Sequence, residues 1–189
     1  MKYMERGGFQ QQPLMRLTLG LTLGLLVAFW LTNFALYFSR MTLWPDSVVA
    51  YYNGSEQDFR PPRSAQSMLE VTHMHLPMMA VVLLILTHLA IFAPLPRVAK
   101  PALIGTAFAC ALADEGGGWL VRFVSPSLAL VKVIGFVGLQ LSILLLLSSL
   151  AVLLFNGARA GRLQPRGLDA DREAPAGNGV TPEAQRPPR

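Results

Sequence analysis

Four apolar runs constrain this chain more than any other feature: Leu17–Phe38, Leu69–Phe92, Pro101–Val124 and Leu128–Phe155. Each is long enough for a helix to cross a bilayer, since about 20 apolar residues at roughly 1.5 Å each cover a hydrocarbon core about 30 Å thick. None alternates apolar and polar positions, so the backbone must be satisfied within helices and not in a barrel. The expected fold is an all-α membrane protein with four transmembrane helices in an antiparallel bundle over 17–156. A cytoplasmic segment, 1–16, precedes it, and a disordered cytoplasmic tail, 157–189, follows. The composition, 52% hydrophobic and 14% charged, is far from that of a soluble domain.

The ends of the runs predict orientation. Lys2, Arg6 and Arg16 precede the first; Arg97 and Lys100 join the second to the third; Arg159, Arg162 and Arg166 follow the fourth. The opposite side carries Arg40, Arg60, Arg63 and Arg122 among Asp46, Glu56 and Asp58. The excess of Lys and Arg places both termini in the cytoplasm of a cell that keeps the protein in its inner membrane. The first run has no A-x-A-like site after it and reads as an anchor that is retained. Although the net charge is +5, the basic residues form no stripe with interleaved aromatics, so nucleic acid is not an expected partner. The external link, 41–67, places Trp44, Tyr51 and Tyr52 at the membrane–water boundary. The single cysteine, Cys110, allows no disulfide within the chain and reads as a small buried hydrophobe.

All three histidines fall in the second run: His73, His75 and His88. At about 100° per residue His73 and His88 end about 60° apart on a helix, separated by roughly 22 Å along its axis. Glu70 falls on the same side, whereas His75 shares a stripe with Met68 and Met79. A ligating side chain at membrane depth is a functional candidate because placing it there is costly. The spacing resembles that of cytochrome b, where one helix bears two histidines about four turns apart and each ligates a different haem. The resemblance implies haem b bound through His73, His75 or His88. Two bis-histidine haems need four imidazoles and this chain has three, so a homodimer, a partner subunit or an axial methionine would complete the ligation.

Copper is the competing cofactor. Met74, Met78 and Met79 lie beside His73 and His75, and thioethers with imidazoles suit Cu(I). A continuous helix would point these side chains in several directions, whereas a helix beginning at Pro77 would leave the His-Met-His segment extended and let His73 and His75 face one ion. The plain alternative is that the methionines fill gaps, the histidines bond to carbonyls and no cofactor is bound.

The third run contains Asp114-Glu115-Gly116-Gly117-Gly118. Carboxylates about 15 Å below the surface must be paired, wet or protonated. Lys132 is the expected partner, Arg122 a second choice, and Gln140 lies level with Asp114. The glycines allow close helix approach, local unwinding or backbone contact with a bound group. With Glu70, these groups read either as a proton relay beside a quinone or haem, or as a structural ion pair. The leading expectation is a membrane electron-transfer subunit exchanging electrons with quinol or an external redox partner, paired with itself or another membrane subunit. Copper handling and a cofactor-free assembly role are the alternatives. No nucleophile with a base and no phosphate-cradling loop is present, so a redox subunit is expected over an autonomous enzyme.

Overall fold

A computed structural model of the chain describes residues 12–57 and 59–163, with side chains through 156. Residues 1–11, Asp58 and the tail beyond 163 lie outside the described residues, as do the side chains of Arg159 and Arg162. Among the described residues the fold is all-helical and without strands: α1 Pro13–Phe38, α2 Pro45–Asn53, α3 Ala65–Ala90, α4 Ala99–Phe123 and α5 Ala129–Leu163.

Local chemistry sets the starts. Proline opens α1 and α2, where its missing N–H leaves no bond unmade. Ser64 caps α3, its hydroxyl accepting from the Ser67 N–H at 3.2 Å. Pro77 lies inside α3, which runs unbroken past it. The His-Met-His segment is therefore helical and not extended, and His73 and His75 point about 160° apart. At the other end α5 continues to Leu163, beyond the expected boundary at 156.

Three stretches are long and apolar enough to cross a membrane: α1, α3 and Pro126–Asn156, which contains most of α5. The protein is thus a helical membrane protein. α4 is 25 residues long but carries Asp114, Glu115, Arg122 and a glycine run, and does not reach the same apolarity.

Glycine brings α4 and α5 together. A Cβ on Gly117 would lie 2.7 Å from Lys132 Cα, one on Gly135 would collide with the backbone of Ala113 and Asp114, and one on Gly138 would meet Cys110 Sγ at 2.5 Å. These contacts pair later positions of α4 with earlier ones of α5, so the two helices run antiparallel with their backbones in contact. Two apolar clusters fill the interior. One centres on Leu86, Ala107 and Leu146; the other, nearer α2, on Val48, Val121 and Phe136. α1 is peripheral, burying Leu19, Leu26 and Tyr37. It is fastened by the Trp30 indole N–H, which donates to Gln140 O at 3.1 Å, and by a Tyr37–Phe136 stack at 3.7 Å.

Candidate functional site: a polar cavity at the α2 end

A cavity of about 120 Å³ opens among α1, α2, α3, α4 and α5 at the α2 end. On α4, Asp114 and Glu115 are adjacent and so point about 100° apart, giving each carboxylate its own partners. Lys132 Nζ donates to Asp114 Oδ1 at 2.6 Å and to the Asp114 carbonyl at 2.9 Å. Lys132 is 8% exposed, so this is a desolvated pair whose ammonium has two oxygen acceptors. Gly117 makes the pairing reachable by letting the Lys132 backbone approach α4.

Glu115 faces α3. Its Oε1 accepts from the Thr72 hydroxyl at 2.5 Å, and its Oε2 lies 3.3 Å from His75 Nδ1. The indole N–H of Trp119, one turn along α4, donates to Thr72 Oγ1 at 3.0 Å. Thr72, His75, Glu115 and Trp119 thus form one hydrogen-bonded unit. With Nδ1 turned to the carboxylate, the other ring nitrogen is left for exchange.

The rest of the wall is aromatic and amide. Gly118 leaves room for the Tyr52 ring, which a Cβ would approach within 2.7 Å. Burial pushes the Tyr52 phenol up from its ordinary value of 10.0, against the lowering effect of Lys132. Gln140 on α5 is 3% exposed, lines the cavity, and finds no protein partner for either its side-chain oxygen or nitrogen. A buried amide without partners is costly, so its placement on a cavity wall has chemical meaning.

The structure brings His75, Asp114, Glu115, Lys132 and Gln140 to one cavity and leaves the other candidates outside it. Arg122 donates from Nε to Arg63 O at 2.9 Å and takes no part in the acid pairing. Glu70 is exposed and accepts from Gln66 at 3.1 Å. His73 and His88 are exposed, and His88 meets Phe92 edge to face. The stripe of α3 that reaches α4 and the cavity is Met68, Thr72, His75 and Met79, with His75 at its edge, 46% of its side chain exposed. α3 is apolar on nearly every side, so hydrophobicity does not distinguish its faces. The candidate copper ligands fan out around the helix: Met74 and Met78 are 70% and 57% exposed, while Met79 is half-buried. Among the described residues no three His, Cys, Asp or Glu side chains converge as a metal-binding group.

Thr72, Trp119, Tyr37, Tyr52, Arg40 and Arg63 were not legible as cavity residues. One signal was present: Thr72 and Trp119 each lie within a turn of a candidate, His75 and Glu115.

Fold and cavity together define a polytopic helical membrane domain with a polar chamber at one end. Residues 42–161 match the Aq_1264_TM family, a transmembrane helical domain, and the chain belongs to it. No curated protein and no solved structure matches the chain.

Proposed function

We propose that this protein is a membrane electron-transfer subunit that binds the head of a lipid-soluble quinol in the cavity and takes up its protons. In this reading four helices cross the membrane: α4 completes the set because α5 neutralises Asp114 and covers its glycine face. The cell inner membrane with both termini cytoplasmic follows from the charge distribution, and puts the cavity towards the external face.

The observation that carries the proposal is the Gln140 amide, buried and without a protein partner, on a residue that lines the cavity holding an imidazole–carboxylate couple. A quinone carbonyl or quinol hydroxyl offers the acceptor or donor that this amide lacks. At about 120 Å³ the cavity is somewhat smaller than the one of about 150 Å³ that takes up benzene, so a quinone ring would enter from the open mouth with part of its surface left outside. Quinol oxidation releases protons and electrons together. His75 is placed to receive a proton, with Glu115 holding its far side and stabilising the imidazolium. The two electrons would be taken one at a time by a one-electron carrier such as haem b, and the second proton would leave through the open cavity mouth to water. His73 and His88, exposed on one side of α3 and roughly 22 Å apart along it, would each hold a different such group, with a second copy or a companion subunit supplying the remaining ligands.

Quinones quench tryptophan fluorescence, and Trp119 lines the cavity. Titrating a short-chain benzoquinone into the detergent-solubilised protein should give saturable quenching, weakened in Gln140→Leu and in Glu115→Gln. Quenching that rises linearly and identically in all three proteins would overturn the proposal.

A further inference from the structure

The cavity mouth has a chemistry of its own, independent of the quinol reading. Arg40 follows the end of α1 and Arg63 precedes the cap of α3, so both lie at the ends of helices long and apolar enough to cross a membrane. They converge on one ring: Arg40 Nη1 donates to the Tyr51 hydroxyl at 3.3 Å, and the Arg63 guanidinium stacks 4.6 Å from the Tyr51 centroid. Arg63 is pinned from both sides of its backbone, its N–H donating to Tyr52 O at 2.9 Å and its carbonyl accepting from Arg122 at 2.9 Å. Its side chain is therefore positioned and not merely solvated.

A guanidinium has five N–H donors. Among the described residues neither Arg40 nor Arg63 has a carboxylate partner, the ion pairs being His75–Glu115 and Lys132–Asp114. Just inside the mouth, Leu36 on α1 and Val71 on α3 line the same opening and are 42% and 40% exposed. Two cations thus stand at the helix ends beside an apolar slot between α1 and α3 whose residues are exposed at the molecular surface.

We propose that Arg40 and Arg63 bind the phosphate of an anionic glycerophospholipid, with an acyl chain lying against Leu36 and Val71. Paired guanidinium donors match phosphate oxygens, and the apolar slot beneath them selects a lipid over a free ion.

The test is lipid retention by the full-length protein in detergent, read by native mass spectrometry with phosphatidylglycerol and phosphatidylcholine as probes. Wild type should retain phosphatidylglycerol preferentially. Retention should fall about five-fold for Arg40→Gln or Arg63→Gln and about thirty-fold for the double variant, with thermal stability unchanged. Arg97→Gln, exposed in the link between α3 and α4, should retain the lipid as wild type does. Equal loss in Arg97→Gln would reduce the effect to net charge, and full displacement of the lipid by equimolar inorganic phosphate would make the ligand a free anion. Either result overturns the inference, as does undiminished retention in the double variant.

Discussion

Gly117 and Lys132 meet backbone to backbone: a Cβ on the glycine would stand 2.7 Å from Lys132 Cα and 2.8 Å from its amide nitrogen. Neither atom belongs to a flexible chain end, so the contact cannot be relieved by a rotamer change. That approach delivers the Lys132 ammonium to Asp114.

Gly117→Ala should therefore destabilise the protein by about 1–3 kcal/mol, the usual range for overpacking. Gly116→Ala is the control. Nothing lies within 4 Å of a Cβ there, and alanine favours a helix over glycine by up to about 1 kcal/mol. Thermal unfolding in one detergent should lower the midpoint for the first and hold or raise it for the second.

The Lys132–Asp114 pair should show strong non-additivity. Lys132→Met leaves a carboxylate buried without its cation and should cost about 3–5 kcal/mol. Adding Asp114→Asn removes the stranded charge and should restore part of that loss. A double variant no more stable than Lys132→Met would show the pairing to be energetically irrelevant.

Gly118 and Tyr52 form a second such couple, this time glycine against ring. Gly118→Ala should expel the phenol from its place. Because burial raises the Tyr52 pKa above 10.0, the sign is set: its contribution is fully present below pH 10.0 and is lost as the pH rises through the higher folded value. The ultraviolet titration of phenolate should contain a late component in wild type that is absent in Tyr52→Phe and shifted earlier in Gly118→Ala.

The histidines should separate by position. His73→Gln and His88→Gln alter exposed side chains and should change thermal stability by no more than about 0.5 kcal/mol. His75→Gln breaks the contact with Glu115 and should weaken benzoquinone quenching of Trp119. Loss of quenching in His88→Gln but not in His75→Gln would move the ligand off the cavity.

The four long helices were legible in the sequence because length and apolarity answer to one quantity, the thickness of the hydrocarbon layer; α2, a helix of 9 residues inside the expected external link, was not. Which face of α3 turns inward was not. The stripe Met68, Thr72, His75 and Met79 is no more apolar as a group than the outward Leu69, Met74 and Met78. What fixes the rotation is polar matching across helices, Thr72 and His75 to Glu115, and such matching is invisible until two segments are brought together. The value of Gly117 and Gly118 was legible as close approach in general. Their different partners, a lysine backbone and a tyrosine ring, depend on α2 folding back over α4. That fold is held by the Asn53 amide, which donates to Val121 O at 3.3 Å.

The short turn between α4 and α5 has a bearing on biogenesis. A segment holding Asp114 and Glu115 in its interior partitions poorly into lipid by itself, since a charge at a helix centre opposes transfer by about 2.5–3.5 kcal/mol on the insertion scale. Its neutralising cation arrives only with the next segment, after Pro126–Leu128. On the proposed four-span reading, the two helices would leave the translocon as a hairpin, with Lys132 and Asp114 already joined before either meets the acyl chains.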